Sequence, residues 1–316
     1  MTSVLNQSHQ ERLQNQLQES WQRHGHRWPG AESLWRGVAV PLSLQIANKQ
    51  ELSVNNRSQC AFTLGISGTQ GSGKSTLADM LECLLNTYWP LTVVNVSLDD
   101  FYFSHHKRQQ MSQKIHPLLA TRGVPGTHDV AFGIELFHKL QSDSSAVLAI
   151  PRFNKATDDP MPATQWPTFT GPVDVILFEG WCLNVTPQEE SELEMPLNAL
   201  EEEEDSAGIW RRYVNDQLRG LYQDWFAMVD EWVWLNAQSF DVVYDWRCQQ
   251  EGELKRATKG DQASAIMSAA DLKRFIQHYE RLTRHSFDCL PDRVDHEVVF
   301  AADRSIKSNT MTSLRT

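Results

Sequence analysis

Short apolar runs alternate along this chain with segments whose apolar residues recur at helical spacing. The runs predict buried strands at residues 61–66, 92–98, 146–150, 173–180, 232–235 and 297–301. The spacing between them predicts helices over residues 76–85, 131–140, 210–229, 240–255 and 271–285. Strands that alternate with helices indicate an α/β fold whose sheet is doubly wound and mainly parallel, with helices on both sides.

The first 57 residues have a different pattern and are expected to form a helical extension before a main domain at residues 58–316. Leu13, Leu17 and Trp21 are spaced by four residues, which predicts a helix with a narrow apolar stripe. A second packed segment is expected over residues 34–44, and the extension is expected to pack on the main domain or to offer a partner surface. Within the main domain, the proline-dotted segment 158–172 is predicted to be a loop.

The net charge of −11 is concentrated in one place. Nine acids lie between Glu189 and Asp205 without an intervening Lys or Arg, and the rest of the chain carries only −2. A nearly balanced remainder argues against nucleic acid as a partner. The acidic stretch is expected to be a solvated loop or helix face.

Cysteine content and hydropathy place the protein in the cytoplasm. The five cysteines are an odd number and form no C-x-x-C pair, so neither a disulfide framework nor a zinc site is expected. The polar N-terminus does not resemble a signal peptide, and no apolar run approaches the ~18 residues that span a membrane. We therefore expect no membrane partner, and the sequence leaves the oligomeric state open.

The most specific motif is a glycine-rich segment between the first strand and the first helix of the main domain. Residues 68–75 match G-x-x-x-x-G-K-[ST], the phosphate-binding P-loop, whose backbone N–H groups and helix N-terminus cradle phosphates. Lys74 is expected to reach the β- and γ-phosphates of ATP, and the Ser75 hydroxyl is expected to bind Mg²⁺. The predicted nucleotide-binding residues of this segment are Gly68, Thr69, Gly71, Ser72, Gly73, Lys74, Ser75 and Thr76.

Acidic residues follow two of the predicted strands. Asp99 and Asp100 end a strand that is expected beside the P-loop strand, and either carboxylate could orient an acceptor hydroxyl and accept its proton. Glu179 ends the strongest apolar run, where it could hold Mg²⁺ or orient the attacking group. The sequence thus predicts phosphoryl transfer at the carboxyl edge of the sheet.

Two further segments could bind an anionic acceptor, and a third, which carries Arg247, could close over ATP. Arg152 and Lys155 follow a strand, and such cations suit a carboxylate. The glycine-punctuated turn at 122–129 adds a further cation. Arg247 lies on a polar helix that could close as a lid, around residues 240–262, and stabilise transferred charge. The predicted acceptor-side residues are Asp100, Tyr102, Arg122, His128, Asp129, Arg152 and Lys155.

These segments together resemble the plant-type D-glycerate 3-kinases and their bacterial relatives, which are P-loop kinases of the phosphoribulokinase and uridine kinase group. The resemblance spans roughly residues 62–302 and is most specific in Gly126-Thr127-His128-Asp129 and Phe178-Glu179-Gly180-Trp181. It implies transfer of the γ-phosphoryl group of ATP, with Mg²⁺, to the 3-hydroxyl of D-glycerate. It also implies that Asp99, which lies two residues before the Phe-Tyr pair, is the base.

Other functions remain open at this point. A P-loop kinase for another small hydroxylated metabolite, such as uridine or pantothenate, has the same nucleotide-binding residues. A non-catalytic ATP-binding regulator would not need Lys74, Asp99 and Glu179 together. A GTPase is disfavoured because Asp158 lies one residue too late for the guanine-reading N-K-x-D motif.

Overall fold

A six-stranded sheet forms the centre of the protein. The computed structural model describes residues 7–55, 60–142, 146–257 and 268–310. Its strands are β1 (Phe62–Gly68), β2 (Val93–Ser97), β3 (Val147–Ala149), β4 (Phe153–Asn154), β5 (Asp159–Pro160), β6 (Thr168–Thr170), β7 (Val175–Gly180), β8 (Glu231–Asn236), β9 (His296–Phe300) and β10 (Ile306–Asn309). The central sheet has the order β10-β9-β8-β1-β7-β2, and only the β9–β10 pair is antiparallel. The predicted α/β class with a mainly parallel sheet is confirmed.

Two details of the predicted sheet are wrong. The strand β2 pairs with β7 rather than with the P-loop strand β1, so Asp99 and Asp100 lie two strands away from the P-loop. The sheet also continues past β9 to an additional edge strand, β10. A short polar strand such as β10, with the sequence IKSN, has no apolar run that would predict it.

The region between residues 146 and 170 forms two small hairpins outside the central sheet. Strand β3 pairs with β6, and β4 pairs with β5, both antiparallel. The predicted strand at 146–150 therefore exists but joins no central neighbour, and the segment predicted as a loop contains β5 and β6. These hairpins place Lys155 in the turn that follows β4.

Helices cover both faces of the sheet. Their bounds in the described residues are α1 (Gln7–Glu19), α2 (Trp21–His24), α3 (Glu32–Leu34), α4 (Val40–Asn55), α5 (Lys74–Tyr88), α6 (His105–Lys114), α7 (Val130–Gln141), α8 (Ala199–Glu204), α9 (Ile209–Gln217), α10 (Gln223–Phe226), α11 (Phe240–Ala257) and α12 (Ala269–Cys289). The helix predicted over residues 210–229 is broken. Gly220 has non-helical φ and ψ of −88° and −131° within a wide turn that separates α9 from α10.

Alternate residues of the central strands feed two separate cores. On β7, Ile176 and Phe178 pack with the helices after β2 and β7, whereas Val175 and Leu177 pack on the opposite face. This alternation follows from the period of two in a strand that is buried on both sides. The second face is covered by α5 and α11 together with the N-terminal helices.

The N-terminal helices are part of this second core. Leu17, Trp35 and Ile46 are buried in the same apolar cluster as the helix that follows the P-loop. The predicted stripe is interrupted, because α1 ends at Glu19 and Trp21 begins a separate short helix. Leu34 also approaches the P-loop, since a Cβ at Gly73 would lie 3.6 Å from its side chain.

The acidic stretch is more structured than expected. Glu201 is fully buried and accepts two hydrogen bonds from the Arg281 guanidinium, at 2.8 Å and 2.6 Å. Asp205 is also buried and is paired with Arg211. The expectation of a solvated face is thus wrong for these two acids, because Arg281 of α12 neutralises Glu201 and Arg211 of α9 neutralises Asp205. Among the described residues, no helix has the length and apolar character needed to cross a bilayer.

Candidate active site

The P-loop lies between β1 and the first turn of α5. Gly71 and Gly73 adopt left-handed backbone conformations with φ of 79° and 92°, which an L side chain rarely adopts. These turns wrap the loop around the start of α5, where the first backbone N–H groups of the helix have no intrahelical partner. The predicted P-loop geometry is therefore present in the fold.

Polar atoms of the loop are arranged for a phosphate ligand. Lys74 Nζ donates a hydrogen bond to the Thr69 carbonyl across the loop, at 2.9 Å. The hydroxyls of Thr69 and Ser72 are buried and have no hydrogen-bond partner among the residues that the structure describes. Burial lowers the pKa of Lys74, although Glu179 and Asp99 act in the opposite direction. Donors that are buried and unmatched fit an anionic group such as a polyphosphate.

The pair formed by Ser75 and Glu179 connects α5 to the neighbouring strand β7. The Ser75 hydroxyl donates to Glu179 Oε1 at 3.0 Å, and Glu179 is buried opposite Ile66 of the P-loop strand. A hydroxyl and a carboxylate beside a phosphate site are the hard oxygen ligands that Mg²⁺ prefers. The donor set therefore fits this ion.

Asp99 lies on a one-turn 3-10 helix, Leu98–Phe101, rather than at a strand end. Its Oδ2 accepts a hydrogen bond from Lys155 Nζ at 2.6 Å, and its Oδ1 accepts one from the Tyr102 hydroxyl at 2.8 Å. Burial acts to raise the pKa of Asp99, but Lys155 and the Tyr102 hydrogen bond together lower it below its usual value. The carboxylate is thus held ionised and oriented.

Asp100 has different partners. It accepts hydrogen bonds from the Phe153 backbone N–H at 3.0 Å and from Arg152 Nη1 at 3.2 Å. Burial raises the pKa of Asp100, with these two contacts opposing the shift. In the described residues, neither Asp100 nor Arg152 lines the cleft that contains Asp99. The pair anchors the hairpin that carries Lys155, and the assignment of both residues to the acceptor stays a prediction.

Arg122 reaches the cleft from the turn between α6 and α7. Its Nη1 donates to the Asp158 carboxylate, and its backbone carbonyl accepts a hydrogen bond from Tyr279 at 3.1 Å. The Tyr279 ring packs edge-on against Trp181 with centroids 4.8 Å apart. The rings of Tyr279 and Trp181 thus form an aromatic wall of the cleft next to Arg122.

Among the described residues, His128 and Asp129 do not line the cleft. His128 is buried, stacks on the Tyr102 ring at 4.5 Å, and contacts the Tyr222 hydroxyl through Nδ1 at 2.6 Å. Burial lowers the pKa of His128 to about 3, so the ring is neutral. Asp129 caps α7 by accepting the Phe132 N–H at 3.2 Å. Their predicted contact with the acceptor remains untested, and their observed contacts support neighbouring segments.

A cleft of about 370 Å³ brings half of the predicted site residues together. The predicted residues that line it are Lys74, Gly71, Ser75, Glu179, Asp99, Tyr102, Arg122, Lys155 and Arg247. The sequence missed Phe275 and Tyr279 of α12, which also line the cleft. Both lie on the apolar face of the helix predicted over residues 271–285, and nothing local distinguishes a core aromatic residue from one that faces a ligand.

The chain is similar in sequence and in fold to known kinases. No protein-family model matches the chain. The chain is 35% identical over 227 residues, 69% of its length, to the uncharacterized kinase mug58 of Schizosaccharomyces pombe, of which 78% is covered. It is 29% identical over 226 residues to the chloroplastic D-glycerate 3-kinase of Arabidopsis thaliana; the alignment covers 69% of this chain and 46% of the plant protein. A solved D-glycerate 3-kinase from Cryptococcus neoformans has the same fold, with a TM-score of 0.64, 24% identity, and coverage of 85% of this chain and 98% of the fungal chain.

Proposed function

Because the chain belongs to the family of P-loop kinases that includes plant D-glycerate 3-kinase, we propose that it transfers the γ-phosphoryl group of ATP to the 3-hydroxyl of D-glycerate. The observation that carries the proposal is one cleft in which the P-loop Lys74, the carboxylate of Asp99 and the cations Arg122 and Lys155 meet. The kinase class follows from the family, and the acceptor is the proposed part.

At the nucleotide end, Lys74 and the hydroxyls of Thr69 and Ser72 bind phosphate oxygens in this proposal. Ser75 and Glu179 would hold Mg²⁺, whose chemistry is to neutralise the charge that develops on the transferred phosphoryl group. The helix N-terminus adds partial positive charge to the same place.

At the acceptor end, Asp99 accepts a hydrogen bond from the reacting hydroxyl and aims its oxygen at the phosphorus. A carboxylate with a lowered pKa is a weak base, and phosphoryl transfer asks mainly for orientation because its transition state is loose. Arg122 and Lys155 pair with the carboxylate of the acceptor. A small hydroxy acid supplies both the hydroxyl and the anion that these residues require.

The side of the cleft formed by α11 and α12 would exclude water in this proposal. Arg247 of α11 lines the cleft together with Phe275 and Tyr279 of α12. Excluding water protects the phosphoryl group from hydrolysis and strengthens the charge interactions inside the cleft.

Initial rates across a panel of acceptors test the proposal. Purified protein with ATP and Mg²⁺ is given D-glycerate, L-glycerate, glycerol, uridine or pantothenate, and ADP release is followed. D-glycerate is expected to have the highest kcat/KM, and glycerol is expected to be poor because it leaves the cations unpaired. Equal turnover of glycerol and D-glycerate would contradict carboxylate recognition, and preference for uridine or pantothenate would reassign the acceptor.

A further inference from the structure

Arg108 is a buried arginine that lies outside the cleft. It is on α6 and only 1% exposed, although the sequence around it is polar. Its Nε donates to the Phe103 carbonyl at 3.0 Å, its Nη1 to the Ala120 carbonyl at 2.7 Å, and its Nη2 to the Asp158 carbonyl at 3.0 Å. Nη2 also lies 2.7 Å from Asp158 Oδ2. A guanidinium is buried at high cost unless its donors are matched, and here they meet oxygens on three segments.

The three segments joined by Arg108 are those that form the acceptor side of the cleft. Phe103 ends the turn after β2, Ala120 precedes the turn into α7, and Asp158 lies in the turn between β4 and β5. Each segment carries one charged cleft residue within four positions of its contact with Arg108: Asp99, Arg122 and Lys155.

Arg108 also affects the charge of the cleft. The Asp158 carboxylate accepts a hydrogen bond from Arg122 as well as pairing with Arg108. Without Arg108, Asp158 would face Arg122 with its full charge and compete with an anionic ligand for that guanidinium. With Arg108 in place, part of the charge of Arg122 remains available to an acceptor.

We infer that Arg108 is the positioning residue that assembles the acceptor side of the cleft. The kinetic test of this inference rests on the proposed function, because it measures the KM for the acceptor. Arg108 does not line the cleft in the described part of the chain, and it acts by holding the three segments in register and by balancing the charge of Asp158. A lysine at this position would retain the charge but reach one oxygen in place of several, because an ammonium lacks the planar fork of a guanidinium.

Arg211 provides a matched control for the cost of losing a buried arginine. It is 2% exposed and donates to the carbonyls of Leu193, Asp205 and Glu194 at 2.7 Å, 2.6 Å and 3.1 Å. It pairs with the Asp205 carboxylate as Arg108 pairs with that of Asp158. Among the described residues, neither Arg211 nor any of these partners lines the cleft.

The kinetic test compares Arg108→Lys with Arg211→Lys. For Arg108→Lys we expect the acceptor KM to rise at least tenfold, while the dissociation constant for ATP stays within twofold, because the P-loop makes none of the three contacts. Arg211→Lys is expected to lower the melting temperature without moving the acceptor KM more than twofold. An unchanged acceptor KM in Arg108→Lys, or an equal rise in Arg211→Lys, would overturn the inference.

Asp158→Asn keeps the test open if Arg108→Lys fails to fold. Asp158 has a φ of 57°, which asparagine tolerates, and its carbonyl contact with Arg108 would remain. Removing the carboxylate takes away both the anchor of Arg122 and the counter-charge of buried Arg108, so we expect a lower melting temperature. We expect the acceptor KM to rise, because the loss of the anchor outweighs the loss of the competing charge. A wild-type acceptor KM in this variant would contradict the role of the Asp158 pair.

Hydrogen exchange separates this inference from the proposed function, because it needs no acceptor. In the protein without ligands, Arg108→Lys is expected to increase amide exchange in residues 98–103, 120–123 and 152–158 together, with residues 68–75 unchanged. An increase confined to 105–114 would overturn the inference even if D-glycerate proves to be the acceptor. If wild type ignores D-glycerate while the three segments loosen together, the proposed function fails and the inference stands.

Discussion

Replacing Asp99 and Asp100 in turn should separate the two adjacent carboxylates. Asp99 lines the cleft and is held by Lys155 at 2.6 Å and by Tyr102 at 2.8 Å. Asp99→Asn keeps the shape but removes the charge that orients and deprotonates the acceptor hydroxyl. Loss of a positioned base lowers rates by roughly 10²–10⁴-fold, which corresponds to about 3–5 kcal/mol of transition-state stabilisation.

Asp100→Asn should cost much less. The amide oxygen of asparagine could still accept the Phe153 N–H, so the change removes mainly the pairing with Arg152, whose side chain is 34% exposed. Partly exposed ion pairs contribute about 0–1 kcal/mol to folding stability, so the hairpin that carries Lys155 should stay in place, and we expect kcat to fall by no more than roughly fivefold.

The assay measures kcat at saturating ATP and acceptor, with the ATP dissociation constant as the control for an intact P-loop. Wild-type ATP affinity is expected in both variants. Equal losses of kcat in the two variants, or a larger loss in Asp100→Asn, would refute the assignment of Asp99.

Three further predictions concern the P-loop, the acceptor cations and a buried histidine. Lys74→Ala should abolish turnover and leave the melting temperature unchanged, since glycines and backbone set the loop; full activity in a folded variant would remove the P-loop assignment. Arg122→Gln should raise the acceptor KM by roughly 10–150-fold, because it removes a charge-assisted hydrogen bond of about 1.5–3 kcal/mol. Arg152→Gln should raise the acceptor KM far less. If Arg152→Gln had the larger effect, the acceptor carboxylate would be assigned to Arg152. Burial lowers the pKa of His278 from 6.5 to about 4. As the pH falls below 6.5, His278 therefore becomes protonated in the unfolded chain before it does in the folded protein. Its protonation should lower the free energy of unfolding by about 2 kcal/mol between pH 8 and pH 5. An NMR titration that places the pKa of His278 near 6.5 would disprove this.

The sequence predicted the parts of the site that depend on local chemistry. The P-loop could be recognised because its glycines, Lys74 and Ser75 are contiguous and lie between an apolar run and a helical pattern. Glu179 could be recognised because it ends the most apolar strand, and β7 does lie next to β1.

Parts that depend on tertiary pairing were harder to predict. Asp99 was selected by resemblance, and nothing in the sequence predicted that both acids lie on a 3-10 turn from which Asp99 alone of the two lines the cleft. The sequence predicted that Arg152 would bind the acceptor, but in the structure its guanidinium pairs with Asp100, and only the fold brings those two segments together.

No pattern in the sequence indicates the role of Arg108. Its segment has no apolar periodicity, and its acceptors are three backbone carbonyls and the carboxylate of Asp158, which lies 50 residues away. The position of Tyr279 in the cleft could not be predicted for the same reason, because α12 reaches the cleft from the far end of the chain.

The most direct test of the central claim is identification of the product by NMR. Protein, ATP, Mg²⁺ and D-glycerate are incubated, and phosphorus–proton correlations locate the new phosphate ester, with Lys74→Ala as the blank. The account predicts coupling of the phosphorus to the two protons on C3 of glycerate, together with stoichiometric ADP. A phosphate on C2, or no phosphoglycerate from a protein that binds ATP and phosphorylates a different acceptor, would contradict it.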